Sequence, residues 1–257
     1  MGANNKNGFT IIELILFFGV TGLLVVGILA GSSAAVSQQR YRDSVHTLRS
    51  AMQEQYSEVA NVVNDRAPDL ACDASGNISE SPANANPRGT SSNCMIIGRF
   101  IQSYRSGSSV DSGAALHIYP VIAAMSGTPN PDITNDTEAI AQYNLSLDER
   151  RYEQSDLEWD STARVQGLTG PSQHQFSILI LRSPLSGSIY SYINAGSTVA
   201  NPRSILSNAN LNNGLNICVD PASGGPILGE KMAIRLAPNS SNQSGVEMIS
   251  QQAGNGC

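Results

Sequence analysis

The run from Leu14 to Val36, LILFFGVTGLLVVGILAGSSAAV, holds 23 residues with no charge and no proline. As a helix it would be roughly 35 Å long, enough to cross the ~30 Å hydrocarbon core of a bilayer. Gly19, Gly22, Gly27 and Gly31 interrupt its Val, Ile, Leu and Phe positions. Small residues of this kind let membrane helices approach one another closely. The polar stretch before it, MGANNKNG, carries one cation, Lys6. A secretory signal peptide cut near AGSSA, at Ala30, Ser32 or Ala34, is one reading, although the apolar stretch is long for that role. A plain signal anchor for an exported enzyme is another. Neither accounts for Glu13, which opens the run. An unpaired carboxylate in hydrocarbon costs several kcal/mol, so it calls for a partner. No Lys or Arg lies close to it in the mature sequence.

The residues around that carboxylate suggest a third reading. Gly8-Phe9-Thr10-Ile11-Ile12-Glu13-Leu14 resembles the processing site of type IV prepilins and type II secretion pseudopilins. The resemblance lies in a leader ending in Gly, Phe first in the mature chain, Glu fifth, and a long apolar stretch. It covers the chain to about residue 40. It implies cleavage between Gly8 and Phe9 and methylation of the new Phe9 amino group, both by one prepilin peptidase/methylase. Methylation keeps the positive charge. In a helical stack of staggered subunits, Glu13 of one chain would then meet the Phe9 ammonium of the next, favouring one register. Glu13 also suits the N-terminus of its own helix, where negative charge is favoured. The two roles are compatible at different stages of assembly.

The helical pattern continues past the apolar run. Tyr41, Val45, Leu48, Met52, Tyr56, Val59 and Val63 recur in steps of three and four, while Arg40, Arg42, Arg49, Glu54 and Glu58 fall mostly off that face. Pro68 stops it. One helix from Phe9 to about Arg66 is expected, apolar all round at first and amphipathic beyond. The chain then divides into a leader (1–8), a transmembrane and assembly helix (9–36), its amphipathic half (37–67) and a globular β-rich head (68–257). Within the head, 72–93 reads as a loop. Segments 95–104, 115–125, 175–183, 188–195, 214–220, 231–238 and 245–250 read as strands. SPLSGS reads as a hairpin turn between two of them, and 130–160 shows at best a weak helical pattern. The expected fold class is α+β, a long helix packed against a mostly antiparallel β-sheet head. The strand-rich end is similar to the H-type minor pseudopilins.

Four cysteines, Cys72, Cys94, Cys218 and Cys257, all follow the membrane segment. An even number on an exported domain suggests two disulfides. Of three pairings, Cys72–Cys94 with Cys218–Cys257 is favoured because each joins cysteines near in sequence. Resemblance to pilins that close a C-terminal loop this way points in the same direction. Loops of this size contribute roughly 3–4 kcal/mol each on the chain-entropy model.

Other chemistry finds little footing. With 15 Lys plus Arg against 21 Asp plus Glu, and only Lys6 and Lys231 as lysines, the chain lacks the clustered positive charge of a nucleic-acid binder. No C-x-x-C, H-E-x-x-H, G-x-S-x-G or phosphate loop occurs. His46, His117 and His174 read as ordinary surface histidines. Asp132, Asp136, Glu138, Asp148, Glu149, Glu153, Asp156, Glu158 and Asp160 offer oxygens for Ca²⁺ but lack EF-hand spacing, and read as a solvated acidic face. The sequons at Asn77, Asn135, Asn144, Asn239 and Asn242 are expected by chance in an Asn- and Ser-rich chain. No catalytic residue, metal or cofactor is expected.

The sequence therefore reads as a structural subunit of a type IV pilus-like filament. The resemblance places it in the cytoplasmic membrane before assembly and in a pilus or pseudopilus afterwards. Its partners would be other pilin subunits, the peptidase and the filament assembly machinery. Ala30 stands where many major pilins carry a helix-bending proline, and the head is large, which favours a minor subunit. A major pilin, or a membrane-anchored exported enzyme or ligand-binding domain, is the alternative.

Overall fold

The computed structural model describes residues 10–61, 70–73, 78–80, 94–103, 113–125, 127, 130–157, 161–197, 199, 201–221, 231–251 and 257. Helix α1, Ile11–Ala60, has 50 residues, about 75 Å at 1.5 Å per residue. Thr10 caps it, its side chain accepting the Glu13 N–H at 3.3 Å. No proline interrupts the helix. At its far end the Asn61 N–H bonds the Ser57 carbonyl at 3.0 Å. The helix thus stops before the expected Arg66, and Val63 and Pro68 lie outside the described residues.

The head is built from antiparallel strands. Strands β1 (Leu70–Cys72) and β2 (Ile78–Glu80) form a small ladder. A six-stranded sheet contains β3 (Cys94–Gln102), β4 (Ala115–Met125), β5 (Tyr143–Leu147), β6 (Glu153–Asp156), β8 (Phe176–Arg182) and β9 (Ile189–Ala195). Its order is β5-β4-β3-β8-β9, with β6 also on β4. A four-stranded sheet has the order β12-β11-β10-β7, from β7 (Ser161–Val165), β10 (Leu215–Pro221), β11 (Lys231–Leu236) and β12 (Val246–Gln251). Short helices α2 (Asp136–Ala141) and α3 (Asn208–Leu211) also belong to the head. The fold is α+β. Where a single sheet was expected, there are two principal ones, and α1 packs against both.

The amphipathic half of α1 supplies the main core. Tyr41, Val45, Leu48, Met52, Tyr56 and Val59 are buried at the expected spacing. They meet Ile101, Leu116, Phe176, Ile178 and Ile180 of the large sheet and Val165, Ile217, Ile234, Leu236 and Val246 of the small one. Each fully buried side chain of this size contributes about 1.5–3 kcal/mol. A second core on the other face of the large sheet joins Phe100, Tyr119, Val121, Ile140, Leu145, Leu179 and Tyr192. Covered on both faces, β4 is a continuous buried run instead of an alternating one.

Two positions in the large sheet show why these residues are where they are. The β3–β4 register shifts between Ile96 and Gly98, a β-bulge. A Cβ at Gly98 would lie 2.1 Å from the Ile180 carbonyl oxygen, so only glycine fits. Pro120 lies between the stretch of β4 that pairs with β6 and the stretch that pairs with β5. Its carbonyl accepts the Asp148 N–H at 3.0 Å. In an antiparallel strand a residue's carbonyl and N–H positions face the same side. The proline's missing N–H therefore falls in that gap, where a proline is tolerated.

Cys218 is joined to Cys257 with Cα atoms 5.4 Å apart, tying the C-terminal residue to β10. Cys72 is disulfide-bonded. The side chain of Cys94, and with it the Cys72–Cys94 pairing, lies outside the described residues.

Candidate functional site: the exposed half of the long helix

The first half of α1 packs against no other element among the described residues. Ile11 is 78% exposed and Leu23 75%. Phe17, Phe18, Val26 and Leu29 are exposed as well, so the apolar surface runs all round the helix. Beyond the first turn the backbone bonds within the helix, beginning with the Leu14 N–H to the Thr10 carbonyl at 3.2 Å, and the hydroxyls bond the backbone as well. The Thr21 hydroxyl donates to the Phe17 carbonyl at 2.7 Å and Ser32 Oγ to the Leu29 carbonyl at 3.0 Å. This is the arrangement hydrocarbon requires of a spanning segment. The segment is long and apolar enough to span a membrane.

Glu13 sits in the first turn. Its backbone N–H is capped by Thr10, a bond that does not use the carboxylate. Among the described residues it forms no ion pair. The nearest basic residue along α1 is Arg40, 27 residues on and roughly 40 Å away by helical rise. Gly8 and Phe9 lie outside the described residues.

The remaining sequence-identified residues divide. His46 is exposed, but His117 is 1% exposed and hydrogen-bonds the Tyr152 hydroxyl. His174 is half-buried, with Nδ1 3.0 Å from the Ala163 carbonyl. These two are structural, not surface, histidines. The acidic run is not a uniform solvated face either. Asp136 accepts from Ser183 Oγ (2.6 Å), Ser186 N–H (3.2 Å), Ser186 Oγ (2.7 Å) and the Tyr190 hydroxyl (2.6 Å). It thereby fastens α2 to the β8–β9 hairpin turn, which is where SPLSGS was expected to turn. These donors hold its carboxyl below the usual range, and the same bond pushes Tyr190 up to about 12. Asp148 is buried and accepts the Arg150 N–H at 3.3 Å. Among the described residues no cluster of three His, Cys, Asp or Glu could hold a metal. Glu158 and Asp160 lie outside them.

A cleft of about 700 Å³, which no sequence motif marks, lies at the distal end of α1. Val59, Met95, Tyr152 and Pro184 supply apolar walls, and Glu58, Arg99, Glu153 and Arg182 supply charge. Arg99 Nη2 is 2.7 Å from Glu58 Oε2, and Nη1 is 3.8 Å from Glu153 Oε1. Burial raises the Glu58 carboxyl above its usual value despite Arg99. Arg182 Nη1 donates to the Ala60 carbonyl at 2.9 Å, at a helix end that carries no basic residue in its own last turn.

No family model matches the chain, and no curated protein or solved structure compared with it does.

Proposed function

We propose that this chain is a minor pilin or pseudopilin, a structural subunit of a type IV pilus-like filament. In this reading a prepilin peptidase removes residues 1–8 and methylates Phe9, and the subunit waits in the cytoplasmic membrane. The assembly machinery then draws it into the filament through residues 9–36. Its work is assembly, not turnover. One observation carries the proposal: Glu13 stands at the head of an exposed apolar helix with no ion-pair partner among the described residues. A neighbouring subunit's Phe9 ammonium would supply that partner. The amphipathic half, buried in the head, would leave the apolar half free to pack on other helices.

Mass spectrometry of filaments sheared from the host tests the reading. A subunit beginning at methylated Phe9, in low abundance, is the expected result. A chain retaining Met1–Gly8, or one cut near Ala34, would overturn it. Gly8→Val should leave the leader attached and keep the subunit out of filaments.

A further inference from the structure

The four-stranded sheet closes one of its edges and leaves the other open. On β7 the Ala163 N–H bonds the Gly113 carbonyl at 2.7 Å, and the Ala163 carbonyl faces His174 Nδ1 at 3.0 Å. At the other end of the sheet, β12 has β11 on one side only. The Ala237 N–H bonds the Gly245 carbonyl at 2.9 Å. That bonding repeats every second residue, so Glu247, Ile249 and Gln251 face β11. Val246, Met248 and Ser250 therefore turn their backbone groups outward. Gln53 Nε2 donates to the Val246 carbonyl at 3.3 Å. The N–H and carbonyl groups of Met248 and Ser250 have no partner among the described residues. An edge of this kind is a template for an added strand.

Helix α1 supplies the wall beside that edge. Tyr41 bonds Met232, which lies opposite Ser250, and Gln53 bonds Val246. The helix thus runs along β12 in the opposite direction. Arg42, His46, Arg49 and Gln53 follow one another in steps of four, three and four, so they share one flank. No carboxylate falls in that row. Asp43 and Glu54 lie about 100° further round, on the exposed face. Neither Arg42 nor Arg49 has an ion pair among the described residues, although Arg49 is half-buried and its Nε is buried without an acceptor. A partly desolvated guanidinium without a counter-charge is costly, and a carboxylate is the group that matches it best.

We propose that β12 takes up an extended acidic segment of a partner protein as an antiparallel fifth strand. Residues of that segment opposite Met248 and Ser250 would point to the α1 side. Carboxylates two residues apart would therefore reach the Arg42–Arg49 flank while their backbone groups fill the open ladder. The residue between them falls opposite Ile249, half-buried on the other face, and is apolar. The β12 of a second copy does not fit. It would pair antiparallel only with its own α1 reversed, sending one apolar half away from a shared membrane. The site uses only the head and the buried half of α1, so it holds with or without the filament reading.

NMR of the full chain in neutral detergent, labelled with ¹⁵N-methionine, follows the Met248 N–H at the open edge. The Met232 N–H, already held by Tyr41, and the Met125 N–H in the large sheet are references. The probe is the end-capped peptide Thr-Glu-Val-Glu-Thr. The Met248 amide should shift and saturate at about 1 mM or below. Thr-Lys-Val-Lys-Thr loses the charge match, and the acidic peptide N-methylated at both glutamates keeps the charge but loses the ladder. Each should bind at least about tenfold more weakly. Arg49→Gln should weaken the acidic peptide by about tenfold. Ser250→Pro removes one outward N–H, leaves the β11 ladder intact and should weaken it similarly. Arg40→Gln, on the other side of α1, should change nothing. An unmoved Met248 amide, equal binding of either control peptide, or full affinity in both Arg49→Gln and Ser250→Pro would overturn the site. So would equal weakening by Arg40→Gln, which would mark general charge attraction.

Discussion

Tyr41 holds both backbone polar groups of Met232. Its hydroxyl accepts the Met232 N–H at 2.7 Å and donates to the Met232 carbonyl at 3.2 Å. The residue stands at the point where the helix leaves its exposed half and enters the head, and it is 1% exposed. It therefore fixes the helix against the small sheet by hydrogen bonds as well as by packing. Tyr41→Phe keeps the ring and strands both groups of Met232. The expected loss is about 1–3 kcal/mol, read from thermal or urea unfolding of the full chain in detergent. An unchanged midpoint would mean that water replaces the hydroxyl.

A second prediction concerns the β-bulge. Gly98→Ala places a methyl group 2.1 Å from the Ile180 carbonyl oxygen and 2.6 Å from a Leu181 methyl. The side chain can turn away but the backbone cannot, so β3 must separate from β8. Overpacking of this kind costs about 1–3 kcal/mol or more. Gly127→Ala is the control, since a Cβ there meets nothing within 4 Å. Its positive φ of 80° still carries a strain cost, which makes the comparison conservative. Equal melting temperatures for the two variants would contradict the close approach seen at Gly98.

The pH dependence follows from Asp220. Burial pushes its carboxyl upward, but the hydrogen bond and charge of Arg164 at 2.8 Å, and Lys231 at 3.3 Å, outweigh that and hold it below the ordinary 3.8. A carboxyl depressed in the folded state stabilises the fold above its unfolded value and loses that stabilisation as pH falls through its folded value. Wild-type stability should therefore decline as pH drops below about 3.8. Asp220→Asn should be less stable at neutral pH and converge on wild type in acid. A gap in melting temperature that stays constant from neutral pH downward would sink this assignment.

How much of this was readable in the sequence depends on where each element draws its stability. Strands β3, β4 and β8 to β12 are bounded apolar runs, and their bury-or-expose pattern is written in the side chains. Strand β6, Glu-Gln-Ser-Asp, has no apolar residue and exists because β4 offers it a backbone ladder. Strand β7 buries only Ala163 and Val165 of its apolar residues. Both lie in or beside 130–160, an acidic stretch with at best a weak helical pattern. The helix end is similar. Pro68 was the visible stop, yet α1 ends at Ala60, where Arg182, 122 residues away in sequence, takes the terminal carbonyl. Glu13 was legible because a charge in an apolar run conflicts with its own surroundings. The distal cleft was not, because Glu58, Arg99, Tyr152 and Arg182 meet only once the helix, strands β3 and β8 and the residue before β6 are in place.

Glu13→Leu separates a register role from a purely local one. Replacing a carboxylate within an apolar segment should ease membrane insertion, not hinder it. The helix should also start normally, because the capping bond uses the Thr10 side chain and the Glu13 backbone N–H, which leucine retains. Cleavage after Gly8 should persist, since the bond lies outside the altered position. Entry into filaments should nevertheless fall sharply. A neighbour's Phe9 ammonium would be buried without a counter-ion, a loss of about 3–5 kcal/mol for a broken buried pair. Glu13→Asp keeps the charge, shortens the reach by one methylene and should be intermediate. If Glu13 served only its own helix dipole, the loss would be about 0.3–1 kcal/mol, too small to abolish assembly. The measurement is the ratio of each variant in sheared filaments to that in the membrane fraction. Normal incorporation of Glu13→Leu would remove the register role, and it would be the expected behaviour of a tip subunit, whose helix has a neighbour on one side only.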